Sequence, residues 1–198
     1  HSLLEGKRGA VCVMNPKTGE VLALVSSPSF DPNQDFSELL EAEGNPFLNR
    51  VLQGRYPPGS TFKIVVAASA LEENQIHSGS TFHCPGYFRL GNGSFQCWLE
   101  RGHGEQDLIG GLKHSCNVFF YRTGLLAGAE KIARTAHLFG FGQKSGIALP
   151  HEAEGFVPTP LWKRLTQGEG WYNGDTVNFS IGQGFLSVTP LQLLRMAS

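Results

Sequence analysis

The chain has 198 residues, 40% of them hydrophobic, which is enough for one domain, or a large piece of one, with its own core. A formal net charge of −1 leaves no basic footprint and argues against a nucleic-acid partner, while no uninterrupted apolar run approaches the length of a membrane span. His1-Ser2-Leu3-Leu4 is not a signal peptide, so any anchor is expected upstream, and the 25 glycines and 11 prolines lie between periodic segments, indicating turns and not a repeat or a disordered linker.

Gly9 to Met14 and Glu20 to Ser26 read as strands joined by Asn15-Pro16-Lys17-Thr18-Gly19, giving a hairpin over residues 9–26. Pro28 to Asn33 reads as a rigid loop and Asp35 to Glu43 as a short acidic helix. The chemistry begins at Tyr56-Pro57-Pro58-Gly59-Ser60-Thr61-Phe62-Lys63-Ile64. Two prolines and a glycine stop an extended chain, and the apolar run after them predicts a buried nucleophile helix over 60–73, ended by Asn74. Ser60 then stands at a helix N-terminus with Lys63 one turn on, on the same face. A serine hydroxyl needs a base to become a nucleophile, and a lysine serves only where burial or nearby charge lowers its pKa. Phe62, Ile64 and Val65 favour that burial. The helix N-terminus supplies N–H groups and positive charge for an oxyanion beside Ser60.

Thr81 to His103 is turn-rich, with a small hairpin expected from Tyr87 to Leu90 and Ser94 to Trp98 around Gly91-Asn92-Gly93. Leu108 to His114 reads as a short helix or turn. Ser115-Cys116-Asn117 then leads into an apolar helix, the whole spanning 115–127, and Ala129 to Phe139 is an amphipathic helix closed by Gly140-Phe141-Gly142. Residues 143–174 look loop-rich, with Glu152, Glu154 and Glu169 as solvated loop carboxylates. Asp175 to Ile181 alternates polar and apolar, and Thr189-Pro190 caps a last helix. Trp98, Trp162 and Trp171 are assigned to core or loop packing in preference to the lining of a peptide groove, and His77, His83, His114, His137 and His151 to no function.

Of four cysteines, Cys12 alternates with Val11 and Val13 inside the first strand and reads as a small buried hydrophobe. Cys84, Cys97 and Cys116 accompany His103 across a hairpin over 81–103 that lacks apolar residues to hold itself together. Three thiolates and one imidazole suit a closed tetrahedral Zn²⁺ site. A disulfide and free thiols are the alternatives, although a pair drawn from three cysteines leaves one over.

Taken in order, Lys17-Thr18-Gly19-Glu20-Val21-Leu22-Ala23, Phe30-Asp31-Pro32-Asn33, Asn49-Arg50, the Ser60/Lys63 segment, His114-Ser115-Cys116-Asn117, Gly140-Phe141-Gly142, Ile181-Gly182-Gln183-Gly184 and Val188-Thr189-Pro190-Leu191-Gln192 form a set. With that set the chain resembles the transpeptidase domain of class B penicillin-binding proteins, in particular the elongation-type branch, penicillin-binding protein 2. The resemblance implies an α/β (α+β) fold of the penicillin-binding and serine β-lactamase type, a five-stranded antiparallel sheet flanked by helices. Only the first two strands of that sheet are expected here. The family's catalytic Lys-Thr-Gly is expected after the last helix and hence outside this chain, Lys17-Thr18-Gly19 being a hairpin turn, so these residues alone are expected to acylate poorly.

What the resemblance implies for function is a peptidoglycan D,D-transpeptidase in cell elongation, inhibited by β-lactams. Ser60 would attack the penultimate D-alanine carbonyl of a stem peptide, Lys63 would be the base, Ser115 would relay a proton, and Asn117 would bond both Lys63 and substrate. Some elongation-type members carry a structural zinc in this region, with a cysteine inside the Ser-x-Asn triplet, and the chain is similar to them at Cys84, Cys97, His103 and Cys116. The implied partners are peptidoglycan stem peptides, β-lactams, a membrane glycosyltransferase and elongation-complex proteins, and the implied setting is an inner-membrane anchor with a periplasmic catalytic domain. A β-lactamase or β-lactam sensor of the same fold is the alternative, separated by whether water attacks the acyl-enzyme.

Overall fold

The computed structural model describes residues 2–198. In chain order its elements are β1 (Gly9–Met14), β2 (Val21–Ser27), α1 (Phe36–Glu41), a 3-10 turn (Gly59–Phe62) running into α2 (Lys63–Glu72), then β3 (Phe82–Cys84), β4 (Tyr87–Leu90), β5 (Gly93–Gln96) and β6 (Gly104–Gln106). Six helices follow: α3 (Leu108–Lys113), α4 (Asn117–Ala127), α5 (Ala129–Leu138), α6 (Pro160–Gln167), α7 (Asn173–Phe179) and α8 (Pro190–Ala197). The chain divides into two compact units. One takes in the residues up to Tyr56 with Gly140–Gly155 and Ser187–Ser198, and the other Pro57–Phe139 with Phe156–Leu186.

In the first unit β1 and β2 pair antiparallel, with Cys12 opposite Leu24 and an irregularity between Val13 and Met14. The connection is turn chemistry: Asn15 Oδ1 accepts from the Lys17 N–H at 2.9 Å and Gly19 takes φ +72°. Lys17-Thr18-Gly19 is therefore a hairpin turn, as expected. Val51, Leu52 and Leu191 form the buried centre, against which Ala10, Cys12, Met14, Val21, Leu24 and Ile147 pack. Cys12 is half-buried there, less enclosed than its alternation with valines suggests.

Thr189 and Gln192 cap α8 reciprocally, Oγ1 accepting from the Gln192 N–H at 3.2 Å and Oε1 from the Thr189 N–H at 2.9 Å. The Gln192 amide also donates to the carbonyls of Gln143 and Glu154. Glu152 corrects the sequence reading. It is not solvated but 8% exposed, and its Oε1 accepts from the Ser145 N–H at 2.7 Å.

The second unit is built on α2, α4 and α5. Phe62, Val65, Val66, Phe119, Phe120 and Ile132 are fully enclosed among them, so α2 is a core helix, with burial on more than one face. Gly111 allows α3 to lie against α4, because a Cβ there would stand 2.7 Å from the Phe119 ring. The small hairpin differs from expectation in its turn. Leu90 pairs directly with Gly93, so only Gly91 and Asn92 form the loop, and the second strand starts at Gly93 and stops at Gln96. A further pairing, β3 with β6 through Phe82↔Gln106, His83↔Glu105 and Cys84↔Gly104, closes the turn-rich region at its base. The sheets among the described residues are thus three two-stranded pairs.

Two helices occupy stretches read otherwise from sequence. Residues 143–174 contain α6, with Thr159 Oγ1 accepting from the Trp162 N–H at 3.1 Å and Pro160 at the first position. The polar–apolar alternation after Asp175 belongs to α7 and not to a strand, since Asp175 Oδ2 accepts from the Tyr172 N–H at 2.8 Å to start a helix. The same carboxylate pairs at 2.7 Å with the buried Lys163 amine, which the sequence reading had not singled out. Among the described residues no helix is long and apolar enough to cross a membrane.

Candidate active site and metal centre

Ser60 is exposed in the 3-10 turn that opens α2. Gly59, with φ +58°, turns the chain into that position, and its N–H donates to the Gly182 carbonyl at 3.0 Å. Gly182 has no room for a side chain there, because a Cβ would lie 2.2 Å from the Gly59 carbonyl oxygen. The Gly182-Gln183-Gly184 turn therefore braces the residue before the serine. Phe62 anchors the turn from beneath, fully buried and stacked on Phe179 with ring centroids 5.2 Å apart.

Lys63, 1% exposed, begins α2. Its Nζ donates to Ser115 O at 2.8 Å, Ser115 Oγ at 3.0 Å and Asn117 Oδ1 at 2.7 Å, so its donors go to the Ser-x-Asn triplet and none is left for Ser60. Burial holds the Lys63 ammonium down at about 8, the thiolates of Cys97 and Cys116 pulling the other way. Phe120 lies under the amine at 5.6 Å from its ring centroid. A lysine that loses its proton near neutral pH, with a hydroxyl and an amide carbonyl at hydrogen-bonding distance, has the properties of a general base.

The triplet is delivered by the end of one helix and the start of the next. Ser115 N–H donates to Leu112 O at 3.1 Å and Cys116 N–H to Gly111 O at 2.9 Å, the two bonds of a Schellman closure of α3. Ser115 holds the left-handed position of that motif, φ +50°, which usually belongs to glycine. Asn117 is the first residue of α4, and its Nδ2 donates to Gln96 O at 3.4 Å, as does the Tyr121 hydroxyl at 3.0 Å.

Cys84, Cys97, His103 and Cys116 come together as the sequence suggested, their donor atoms all within 4.8 Å of one another. His103 Nδ1 lies 3.6 Å from Cys84 Sγ and 3.5 Å from Cys97 Sγ. Tetrahedral zinc, with Zn–S about 2.3 Å and Zn–N about 2.0–2.1 Å, has an S···N edge of about 3.6 Å. The chemistry of the donors agrees. Burial pushes the Cys116 thiol up to about 12, with Cys84 and Cys97 crowding it, so negative charge on this sulfur calls for a cation beside it. At Cys97 burial is outweighed by the N–H groups of Leu99, Asn117 and Val118, which lower its pKa. His103 is also lowered, by burial first and then by His114 and Lys63, which keeps the imidazole neutral and able to ligate. Its Nε2 is buried with no partner among the described residues, leaving Nδ1 as the nitrogen that faces the sulfurs. The four residues fit zinc, and all four cysteines are free of disulfides.

Comparison with known proteins agrees with the residues. Residues 9–198 match the family described as penicillin binding protein transpeptidase domain. The peptidoglycan D,D-transpeptidase MrdA of Acinetobacter baumannii is 42% identical over 200 residues, covering 96% of this chain and 30% of the relative. The chain spans about a third of the length of the curated relatives it matches. Among solved structures, penicillin-binding protein 2 in its complex with MreC from Helicobacter pylori superposes with a TM-score of 0.93 at 38% identity, covering 97% of this chain and 38% of that one. The ceftriaxone acyl-enzyme of penicillin-binding protein A from M. tuberculosis gives 0.84 at 27% identity, over 96% and 44%.

Proposed function

Because the chain belongs to the penicillin-binding protein transpeptidase domain family, we propose that it carries the acyl-transfer centre of a peptidoglycan D,D-transpeptidase, with Ser60 as nucleophile. One observation carries this reading: the buried Lys63 amine, one turn after the exposed Ser60, is held by Ser115 and Asn117 and, among the described residues, pairs with no carboxylate.

The steps follow from those contacts. A charged Lys63 can donate to all three oxygens around it, whereas the neutral amine has two N–H groups and one lone pair. One contact must then be released, and the lone pair can receive the Ser60 proton as Oγ attacks the carbonyl of the penultimate D-alanine. N–H groups at the start of the helix stabilise the oxyanion. Collapse breaks the peptide bond and the terminal D-alanine leaves as an amine, protonated through the Ser115 hydroxyl, which Lys63 reprotonates. An amine of a neighbouring stem then attacks the acyl-Ser60 ester by the reverse route, restoring the serine and completing the cross-link. Asn117 fixes the Lys63 amine through Oδ1, and its Nδ2, which gives one hydrogen to Gln96 O, has a second to offer substrate. A β-lactam would acylate Ser60 as a mimic of D-alanyl-D-alanine and would not be displaced by the stem amine.

Zinc would be held by Cys84, Cys97, His103 and Cys116. Four protein donors complete its tetrahedron, so it would supply cross-linking of the loops and no catalytic step. Cys116 lies inside the triplet, and the N–H groups of Asn117 and Val118 point at Cys97, so the ligands and the catalytic loop share a backbone. By the same resemblance the domain would work outside the cytoplasm on a protein anchored in the inner membrane, beside a polymerising glycosyltransferase and elongation proteins. The MreC complex of the Helicobacter pylori relative supports that partnership.

The test uses the intact protein that contains this chain, incubated with a fluorescent penicillin and, separately, with a chromogenic cephalosporin. Stable labelling that disappears in Ser60→Ala, without turnover, is expected. Labelling of Ser60→Ala would overturn the assignment, and rapid turnover would transfer it to a β-lactamase.

A further inference from the structure

The left-handed backbone at Ser115 is costly. For a residue with a Cβ that conformation costs about 1–2 kcal/mol, and the Schellman closure would be better served by glycine. Something other than local preference therefore holds Ser115 where its hydroxyl meets Lys63.

Two side chains outside the catalytic set grip the residue before it. The Trp98 indole N–H donates to His114 O at 3.0 Å. Gln106, 6% exposed, gives both amide hydrogens to backbone carbonyls, His103 O at 2.9 Å and Glu105 O at 2.7 Å. That fixes the amide's orientation, so its Oε1 must accept from His114 Nδ1 at 2.8 Å. The His114 ring is in turn stacked on His103, centroids 5.8 Å apart and planes 9° from parallel. Trp98 meets the His103 ring edge at 5.2 Å. His114 is thus held at its carbonyl and at its ring, while Lys63 holds the next carbonyl, that of Ser115. Rotation about the His114–Ser115 peptide, the motion that would relax φ at Ser115, breaks the Trp98 bond together with the Ser115 N–H bond to Leu112 O.

On the reading of Ser60 as nucleophile and Ser115 as its proton relay, we propose that Trp98 and Gln106 are positioning residues for acyl transfer, clamping the strained His114–Ser115 step so that Ser115 Oγ stays on Lys63. Trp98 is 62% exposed, so an interior packing role does not account for its hydrogen bond. Neither residue touches the reacting atoms. Their effect should fall on the bond-making step and not on the initial binding of a β-lactam.

The experiment separates non-covalent binding from acylation in stopped-flow measurements with a chromogenic cephalosporin on the intact protein, comparing wild type with Trp98→Phe, Gln106→Leu and Ser60→Ala. Phe keeps an aromatic edge for His103 and lacks only the indole and its N–H. The first-order acylation constant should fall about ten- to a hundredfold in Trp98→Phe, with the dissociation constant of the first complex and the zinc content unchanged. Gln106→Leu should show the same split. An acylation constant within twofold of wild type in Trp98→Phe, or a fall accompanied by zinc loss or equally weakened binding, would overturn the clamp. Acylation of Ser60→Ala would overturn the transpeptidase reading itself, whatever Trp98 does.

Discussion

Lys63 Nζ lies 2.7 Å from Asn117 Oδ1, joining the first residue of the nucleophile helix to the first residue of the helix that follows the Ser-x-Asn triplet. Each residue opens its helix, and the amine is fixed by the two elements it must serve. Removing the acceptor should loosen the base. Asn117→Ala should lower β-lactam acylation by about 10²-fold or more, measured as the second-order labelling rate; a rate within a few-fold of wild type would mean that Ser115 alone positions Lys63.

Because Lys63 must be neutral to accept a proton and burial holds it at about 8, acylation should climb with pH and level off above that value. The sign follows from the depressed lysine: lowering pH protonates the amine and removes the base. A profile that is flat between about pH 6 and about pH 9 would show that another group takes the Ser60 proton.

Metal removal should act on stability and chemistry together, since Cys116 lies between Ser115 and Asn117. Native mass spectrometry should give an excess of one zinc that is lost on denaturation with all thiols free. Cys97→Ser should lower both the melting temperature and the acylation rate. A stable, fully active Cys97→Ser protein would separate the loop from the metal site, and a denatured mass short by two hydrogens would replace the metal by a disulfide.

The turn that presents Ser60 depends on Gly182. An alanine Cβ there would stand 2.2 Å from the Gly59 carbonyl oxygen, at φ +71°. Gly182→Ala should cost at least about 1–2 kcal/mol from the left-handed backbone alone and should slow acylation by displacing Gly59. Unchanged urea midpoint and labelling rate would show that the two turns separate freely.

Lys163 offers a stability test away from the chemistry. Its ammonium bonds Asp175, lies 4.5 Å from the Tyr172 ring centroid and is enclosed by protein. Asp175→Ala should lower the melting temperature by leaving that charge only the exposed Glu169 carboxylate at 3.8 Å, and adding Lys163→Met should recover much of the loss. A double variant less stable than the single one would contradict this.

How much of this could be read from sequence depends on whether the signal was local. Ser60, Lys63 and the cysteines carry their chemistry in short motifs, and the 9–26 hairpin is set by Asn15, Pro16 and Gly19. Thr159-Pro160 has the same cap signature as Thr189-Pro190, yet α6 went unread because its face is inverted: Lys163 is inside while Leu161 and Leu165 are exposed. In α7 a short alternation imitated a strand until Asp175 capped it. The β3–β6 pairing joins residues about twenty apart, and the Trp98 and Gln106 contacts with His114 exist only once that pairing is made. Glu152 looked solvated because its acceptor role toward the Ser145 N–H leaves no sequence pattern.

The most direct measurement maps the penicilloyl group after the intact protein is incubated with benzylpenicillin, digested and sequenced by tandem mass spectrometry. A single modified residue, Ser60, with modification suppressed in Lys63→Met, is the expected result. Modification at any other residue, or of Ser60 at an undiminished rate without Lys63, would contradict an acyl-transfer centre built on this pair.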